Sequence, residues 1–550
     1  MGATNSREVP HLLSTPRGQL RGVEVVDNDS NKPICRRYAA VRYALPPVGE
    51  RRWRRPMALP RDWSFSSADG SPGDYGCFGP ICPQVFMGSV AVPNDRRTER
   101  PLVQDEDCLR LNIWVPADAP PEGGWPVQFD IHGGMLQCGN AMQTSALDPV
   151  DLYRWHAGGR RVIVSPAYRL NVFGFLACAE LGALGEEPAP GNFGLWDVRM
   201  ALEWTHANIA LFGGAAGNIT VGGLSPSTVH QLHYDAFQPD PSRRLIRRAF
   251  LLSAAVAGQP DAADGPQRSA QFDELCARLC IAPALPAQRK LALLRATPAA
   301  ALVRAVAGRA VGPFKAATDA AFVPAAFMAS VHDGSLARRL AAAGVAVLLG
   351  DVADEAALYR FFRARESALF RFPRAVPDRA GLLRSLGAFF APPAARALVA
   401  LHGGRDWADR YARIMANAHV HAAVRGFARS LLAAMPPGSV HRYRLAWRAP
   451  GLDAWLHPDT GVCHAAEIPV WWLSGCRAGF EPRDRETCLA WLEPFGAFLR
   501  GDAVDWGTTS PTEVRLLDSD GSIRIVQDDF WDAGLEVWDA MKESGGSAKL

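Results

Sequence analysis

Short runs of apolar and β-branched residues recur along the chain and alternate with stretches in which apolar residues have helical spacing. Such alternation is typical of a mostly parallel sheet wrapped by helices. The pattern predicts strands within residues 106–116, 127–131, 161–165, 219–221, 249–253, 345–349 and 440–446, and a helix over 198–212. Two segments rich in Ala, Leu and Arg, residues 267–343 and 356–435, are predicted to form cap helices over the carboxyl edge of the sheet.

No internal repeat, low-complexity tract or linker divides the chain. We therefore predict a single domain over residues 16–542, preceded by an N-terminal segment of residues 1–15. The final residues, 543–550, are small and polar and are predicted to form a flexible tail.

Composition narrows the class of protein. Hydrophobic residues make up 48% of the chain and charged residues 21%, as in a globular protein with a substantial core. A net charge of +3 favours neither nucleic acid nor a membrane surface as partner. No apolar run approaches the roughly 18 residues of a membrane-spanning helix. Composition sets no oligomeric state.

The N-terminal sequence bears on the location of the protein in the cell. The N-terminus lacks the apolar core of a secretory signal, so we expect a cytoplasmic protein, although Gly2 with Ser6 fits the loose N-myristoylation pattern.

Eleven cysteines occur without a C-x-x-C pair, which argues against a zinc site. We predict no metal and no cofactor.

The chemistry is predicted to centre on a strand-to-helix turn. Residues 219–221 are β-branched, and the two glycines that follow allow a sharp turn. Pro226 suits the first position of a helix, so the hydroxyl of Ser225 is expected near the N–H groups at a helix start. This is the layout of a nucleophile elbow, G-x-S-x-G, with Ser227 in place of the last glycine. Taken alone, it also fits an ordinary turn between a strand and a helix.

Further motifs stand in order before this turn. They are Glu-Asp-Cys-Leu-Arg-Leu-Asn at 106–112, His-Gly-Gly at 132–134, Tyr-Arg-Leu-Asn-Val-Phe-Gly-Phe at 168–175 and Gly-Asn-Phe-Gly-Leu-Trp-Asp at 191–197. Together they resemble the type-B carboxylesterases, which include the cholinesterases, and their variants are most similar to fungal members. The resemblance implies an α/β-hydrolase fold: a central, mostly parallel sheet flanked by helices, with helical caps over an active-site gorge. It also implies a catalytic triad in the chain order Ser, acid, His.

The acid is expected after a strand end downstream of Ser225. The strand predicted at 345–349 is followed by Asp351, Asp354 and Glu355. The family motif Asp-Glu-Gly implies that Glu355 is the acid, with Ala356 in place of the glycine. Asp351 and Asp354 remain the alternatives, and as solvated loop carboxylates they would need no function.

The general base is expected to be a histidine later in the chain. Residues 461–468 resemble the family block Gly-x-x-His-Gly-x-Glu, which implies His464 as the base, with Ala465 replacing the second glycine. His457, which precedes a proline, is the alternative and would be an ordinary loop histidine.

Three backbone groups are expected to form the oxyanion hole. The His-Gly-Gly motif implies N–H donors from Gly133, Gly134 and Met135. The family's further donor is the N–H of the residue after the nucleophile, but here that residue is Pro226, which has none. Removal of one such donor costs about 10²–10³ in rate.

Other family features are structural. The resemblance implies a disulfide between Cys82 and Cys108, whereas a cytoplasmic location predicts that both remain thiols. It also implies two buried ion pairs, Arg52 with Glu106 and Arg169 with Asp197.

The expected function is a serine carboxylic ester hydrolase that acts through Ser225, Glu355, His464 and an acyl-enzyme on a small apolar or aromatic ester. Leu224 stands where cholinesterases carry an acidic residue, and residues 83–107 contain no tryptophan, so a choline ester is not expected. Two other functions remain open. One is a non-hydrolytic step in small-molecule secondary metabolism; the other is a non-catalytic, cholinesterase-like binding protein.

Overall fold

A computed structural model describes residues 5–85, 102–143, 147–187, 189–224, 227–256, 258–307, 312–364, 376–454, 456–474 and 480–544. Within these ranges the chain forms a 13-stranded sheet with helices on both faces. The strands are β1 (Ser6–Thr15), β2 (Gly18–Asp27), β3 (Pro33–Arg42), β4 (Gly73–Asp74), β5 (Arg110–Pro116), β6 (Trp125–Asp130), β7 (Val162–Pro166), β8 (Gly214–Leu224), β9 (Arg248–Leu252), β10 (Ala346–Val352), β11 (Val440–Leu445), β12 (Glu513–Leu517) and β13 (Ile523–Gln527).

The helices up to the first cap segment are α1 (Val150–Trp155), α2 (Asn171–Phe175), α3 (Ala179–Ala183), α4 (Phe193–Asn208), α5 (Ser227–Ala236), α6 (Pro266–Arg278), α7 (Ala287–Ala296), α8 (Ala299–Val306), α9 (Phe327–His332) and α10 (Ser335–Ala342). Those that follow are α11 (Glu355–Ala364), α12 (Arg379–Leu386), α13 (Pro392–Leu401), α14 (Trp407–Ala416), α15 (Ala422–Ala434), α16 (Ile468–Trp471), α17 (Pro482–Arg500) and α18 (Trp531–Glu543). None of these helices is long and apolar enough to cross a bilayer.

The order of strands gives the sheet a parallel centre and antiparallel ends. It runs β1-β2-β3-β5-β7-β6-β8-β9-β10-β11-β12-β13, with β4 beside β2. From β7 to β12 every neighbouring pair is parallel, whereas the successive pairs from β1 to β7 and the last pair, β12 with β13, are antiparallel. The short β4 pairs with β2 in parallel. The predicted mostly parallel sheet is therefore confirmed.

Both faces of the parallel strands are buried. Successive side chains of a strand point to opposite faces, so each strand contributes to the core on both sides of the sheet. On β10, Val347 and Leu349 join the core beneath α4, α5 and α15, and Leu348 joins the core beneath α17. The long apolar runs read from the sequence arise from this double burial.

The sheet begins earlier than the sequence indicated. β1 pairs with β2 along its whole length, from Ser6 opposite Asp27 to Thr15 opposite Gly18. Most of the segment assigned outside the domain, residues 1–15, is thus an edge strand. Its alternate residues are only half-buried, so it lacks the apolar run that marked the central strands. At the other end, α18 extends to Glu543, and residues 545–550 lie outside the described ranges.

Buried charges link the end of β10 to the cap and to the C-terminal segment. Asp351 pairs with Arg425 of α15 and, at 2.6 Å, with Nδ1 of His421. The other side of the Arg425 guanidinium donates to Asp528 at 2.9 Å, and Asp528 also pairs with Arg442. Burial opposes the charge of Asp351, but Arg425 and His421 outweigh it and hold the pKa of this carboxyl well below its usual range.

Replacing Arg425 by Met tests this network. The change leaves two buried carboxylates without their shared cation, so we expect the free energy of unfolding to fall by about 3–5 kcal/mol. Urea denaturation followed by tryptophan fluorescence measures the loss. The control is Arg429→Met, one turn further along α15, whose partly exposed pair with Asp539 should contribute at most about 1 kcal/mol. Equal losses in the two variants would contradict the role given to the buried network.

Candidate active site

The carboxyl ends of three parallel strands bring the predicted residues to one edge of the sheet. The segment after β6 contains the glycine motif at 132–134, and Glu355 opens α11 shortly after β10. β8 ends at Leu224, and the two residues that follow, Ser225 and Pro226, lie outside the described residues. Gly223, two residues before Ser225, has φ +147°, and a Cβ there would lie 2.0 Å from the carbonyl oxygen of Ile131. Only glycine permits this approach of β8 to β6.

His464 and Glu355 contact each other directly. Nδ1 of His464 lies 2.9 Å from Oε2 of Glu355, although 109 residues separate them in sequence. Glu355 is almost fully buried, and its other oxygen accepts the N–H of Val352 at 3.4 Å. The carboxylate therefore orients the imidazole through Nδ1, and the other ring nitrogen, Nε2, remains for proton transfer.

The protonation of His464 is set by two opposing effects. Burial lowers its pKa, but the charge and the hydrogen bond of Glu355, helped by the charge of Glu467, outweigh burial and raise it above the ordinary value. A base of this kind accepts a proton readily near neutral pH.

The alternative residues have other partners. Asp351 belongs to the buried network with Arg425. Asp354 is half-exposed and pairs with Arg360 at 2.9 Å. Nδ1 of His457 lies 3.4 Å from Asp459. Of the carboxylates after β10, it is Glu355 that reaches His464.

The glycine loop has an unusual backbone. Gly134, Met135 and Leu136 follow one another with φ of +119°, +54° and +63°. A Cβ on Gly134 would lie 1.9 Å from the carbonyl oxygen of Cys138, so only glycine fits. Among the described residues, the N–H groups of Gly134 and Met135 have no acceptor. Successive unpaired N–H groups in such a turn form an anion-binding concavity.

Side chains outside this loop hold it in place. Gln84 exchanges two hydrogen bonds with Gly139, donating to its carbonyl at 2.9 Å and accepting its N–H at 2.7 Å. The N–H of Asn171 donates to the carbonyl of Leu136 at 2.7 Å, and its side chain donates to that of Gln137 at 3.2 Å. The strained turn is therefore kept by contacts at both ends.

A second buried carboxylate lies beside the histidine. Glu467 accepts hydrogen bonds from Ser253 at 2.6 Å, Tyr443 at 2.6 Å and Trp471 at 2.9 Å. Burial raises its pKa to about 7, and the three donors limit the rise. From the sequence we predicted no role for Glu467. The signal was present, since Glu467 ends the same motif as His464, and Ser253 follows the end of β9.

A cavity of about 200 Å³ opens at this edge of the sheet. Its wall is mostly apolar and includes the glycine loop, both members of the His464–Glu355 pair, and residues from the two cap segments. Its lining residues include Gly134, Met135, Leu136, Leu224, Ser253, Val256, Lys315, Glu355, Leu358, Tyr359, His419, Val420 and His464. Side chains of the cap segments thus line the cavity together with residues that follow the strand ends.

The pair Cys82 and Cys108 forms no disulfide in the structure. Both are buried free thiols, and the pKa of Cys108 is raised well above its usual value by a hydrogen bond with Cys82 and by burial. Cys82 also accepts the N–H of Leu170 through its sulfur at 3.3 Å. The two cysteines that the resemblance pairs therefore lie side by side, here as thiols.

The two ion pairs implied by the resemblance are formed. Nε of Arg52 lies 2.7 Å from Glu106, and Nε of Arg169 lies 2.7 Å from Asp197. Each pair joins separate segments of the scaffold. In the described part of the chain no three His, Cys, Asp or Glu side chains come together in a way that could hold a metal ion.

Comparison with known proteins identifies the family. The family model described as "Carboxylesterase family" matches residues 10–387. The chain belongs to the carboxylesterase family. The matched region includes the glycine loop, Ser225 and Glu355, whereas His464 lies beyond it.

Relatives of this carboxylesterase extend the similarity over nearly the whole chain. An uncharacterized esterase/lipase of Schizosaccharomyces pombe is 36% identical over 547 residues, 96% of each chain. A carboxylic ester hydrolase of Gibberella moniliformis is 36% identical over 553 residues, 97% of this chain and 96% of its own. Among solved structures, a PNB esterase superposes with a TM-score of 0.72 at 22% identity, covering 96% of this chain and 99% of its own. This likeness confirms the α/β-hydrolase fold.

Replacing Gly134 by Ala tests the glycine loop of the carboxylesterase. The added Cβ would collide with the carbonyl of Cys138 and displace the N–H groups. We expect kcat/KM for p-nitrophenyl butyrate to fall by at least about 100-fold, the effect of losing one oxyanion donor. Gly217→Ala is the control, because a Cβ there meets nothing within 4 Å. Full activity in Gly134→Ala would show that the loop takes no part in turnover.

Proposed function

We propose that this carboxylesterase hydrolyses a small apolar or aromatic ester through a triad of Ser225, His464 and Glu355. The observation that carries the proposal is the 2.9 Å contact between His464 and Glu355 in the wall of a mostly apolar cavity. Ser225 is included in the triad on sequence grounds alone, because it follows β8 in the elbow motif and fits the family's chain order.

Each group has a chemical role in this mechanism. A serine hydroxyl is a poor nucleophile until an imidazole removes its proton. His464 takes that proton as Ser225 attacks the ester carbonyl, and Glu355 stabilises the resulting imidazolium. His464 then returns the proton to the leaving alcohol. Water attacks the acyl-enzyme by the same route and releases the acid.

The negative charge on the former carbonyl oxygen needs hydrogen-bond donors. We assign this role to the backbone N–H groups of Gly133, Gly134 and Met135, which belong to the loop at the cavity wall. Pro226 has no N–H to add, so the loop supplies the donors in this protein.

The cavity supports an apolar substrate. Leu136, Leu224, Val256, Leu358 and Val420 contribute to its wall. Transfer of an acyl or aromatic group from water to such a wall is favourable by about 25 cal/mol per Å² of apolar surface buried. Leu224 in particular leaves no negative charge beside the nucleophile for a cationic ester.

Labelling with a fluorophosphonate tests the nucleophile. We expect one covalent adduct on Ser225, detected by peptide mass spectrometry, and none in Ser225→Ala. Ser225→Ala, His464→Ala and the double variant should lose similar amounts of kcat for p-nitrophenyl butyrate, because triad members act as a unit. An adduct at another residue, or losses that multiply in the double variant, would refute the triad.

The pH dependence of kcat/KM tests the partnership of Glu355 with His464. His464 acts only when neutral, so activity should fall as the pH drops through a pKa above about 6.5. Glu355→Gln removes the charge that raises this pKa, and burial then lowers it. We therefore expect the acid limb of the profile to move to lower pH and the plateau to fall by roughly 10⁴-fold.

The control for this profile is Asp354→Asn, one residue away and paired with Arg360. It should keep both the plateau and the acid limb of the unmodified enzyme. An acid limb that stays in place in Glu355→Gln would exclude Glu355 as the partner of His464.

A further inference from the structure

The side-chain amide of Gln137 joins the glycine loop to the cap. Its Nε2 donates to the carbonyl of Met135 at 3.1 Å and to the carbonyl of Phe314, while its Oε1 accepts the N–H of Phe314 at 3.2 Å. Gln137 is 5% exposed and Phe314 1%, so these hydrogen bonds form away from water. Both N–H donors of the amide are used. The amide is therefore occupied in holding backbone and has no N–H left for a substrate.

The cap partner of Gln137 belongs to a segment that depends on side chains for its hydrogen bonds. Residues 313–317, here called the cap strap, form neither helix nor strand, and three of them line the cavity. Asn192 binds the strap as Gln137 does. Its amide donates to the carbonyl of Ala317 at 2.7 Å and accepts the N–H of Ala317 at 2.9 Å. Buried backbone groups outside regular structure need such partners. The two amides thus hold the strap at two points, and Gln137 alone of the two also binds the glycine loop.

Hydrogen bonds to the carbonyls of the glycine loop fix the direction of its N–H groups. The carbonyl of Gly134 accepts the backbone N–H groups of Gln137 at 2.9 Å and Cys138 at 3.2 Å. The next carbonyl, that of Met135, accepts from the Gln137 amide. In a trans peptide the N–H points away from the C=O, and no peptide bond in the described part of the chain is cis. The N–H groups of Met135 and Leu136 therefore point away from the groups that bind these carbonyls.

Gln137 thus holds Met135 on both sides. Its backbone N–H fixes the peptide before Met135, and its amide fixes the peptide after it. Among the described residues, no other donor reaches the carbonyl of Met135. Met135 and Leu136 have φ of +54° and +63°, values that side chains adopt only at a cost. Without the amide this turn would relax, and the N–H of Met135 would move with it.

We propose that Gln137 is a positioning residue for ester hydrolysis. It holds the turn at Met135 against the cap strap, so that the N–H groups of the glycine loop are aligned with the developing oxyanion. The inference rests on the proposed function, which assigns Met135 as a donor. These donors act on charge that appears only in the transition state, so loss of their alignment lowers kcat and leaves KM nearly unchanged.

Replacing Gln137 by Met removes the amide and keeps an unbranched side chain of similar length. We expect kcat for p-nitrophenyl butyrate to fall by about 10- to 100-fold, because a displacement of about 1 Å in an active site can cost about 10² in rate, while KM stays within about twofold. The control is Asn192→Gly, which removes the matching amide from the strap without touching the glycine loop. Glycine accepts the φ of +53° at this position. This variant should keep kcat within about twofold.

A trifluoromethyl ketone separates alignment of the donors from general damage to the fold. 1,1,1-Trifluoroheptan-2-one forms a tetrahedral adduct with a serine nucleophile and so presents a negative oxygen to the glycine loop, whereas heptan-2-one only occupies the cavity. We expect Gln137→Met to weaken inhibition by the trifluoro ketone by about the factor lost in kcat/KM. Inhibition by heptan-2-one should stay within about twofold. A damaged cavity would weaken inhibition by both ketones equally.

The outcomes distinguish this role from the proposed function. Unchanged kcat in Gln137→Met, a loss no greater than in Asn192→Gly, or equal weakening of the two ketones overturns the role of Gln137 and leaves the hydrolase standing. If the unmodified protein cleaves no ester and forms no adduct with the trifluoro ketone, the hydrolase fails, and the role of Gln137 fails with it.

A second variant covers the case in which Gln137→Met does not fold. Gln137→Glu has the same shape and keeps the acceptor for the N–H of Phe314, but its carboxylate cannot donate to Met135. Assayed at about pH 9, where this carboxyl is ionised, it should show the same loss of kcat relative to the unmodified protein. Unchanged kcat at that pH overturns the role of Gln137.

Discussion

Parallel hydrogen bonding between β6, β8, β9, β10 and β11 is the constraint on which the rest of the molecule depends. In register, Asp130 lies opposite Gly222, Leu224 and Gly350 lie opposite Leu252, and Val352 lies opposite Leu445. Every strand therefore ends at the same edge, and the segments that follow must start there. Because both faces of these strands are buried, a shift by one residue would exchange the two cores, so the register is strongly specified. The glycine loop, Glu355 and His464 line one cavity as a consequence of this register.

Two carboxylates four residues apart show how surroundings decide chemistry. Asp351 belongs to the buried network of Arg425 and Asp528. The cations of this network hold the Asp351 carboxyl ionised and tie β10 to the cap and the C-terminal segment. Glu355 begins α11 and contacts His464 instead. The first carboxylate stabilises the scaffold on which the second is positioned. Their types and positions in sequence would have allowed either role.

Backbone strain is concentrated at this edge of the sheet. Met135, Leu136, Ser253 and Ala465 all have positive φ, a region that side chains other than glycine enter at a cost. Each lies where the chain must turn sharply beside the cavity. Hydrogen bonds offset the cost, since Leu136 is held by Asn171 and Ser253 donates to Glu467. Such strain is common at sites whose geometry matters more than local stability.

The sequence by itself determined the alternation of strands and helices, and with it the mostly parallel sheet, because burial on both faces leaves continuous apolar runs in each strand. It also predicted Glu355 and His464, since each stands in a segment that resembles a motif of the type-B carboxylesterases. The tertiary structure decided their contact, because 109 residues separate them and local pattern carries no distance across such a gap. The edge strand β1 and the buried His419 likewise required the fold. The first is held mainly by backbone pairing, and the second lies on a π-helical turn, Asn417–His421, that lines the cavity. Neither feature leaves a periodic signal in the side chains.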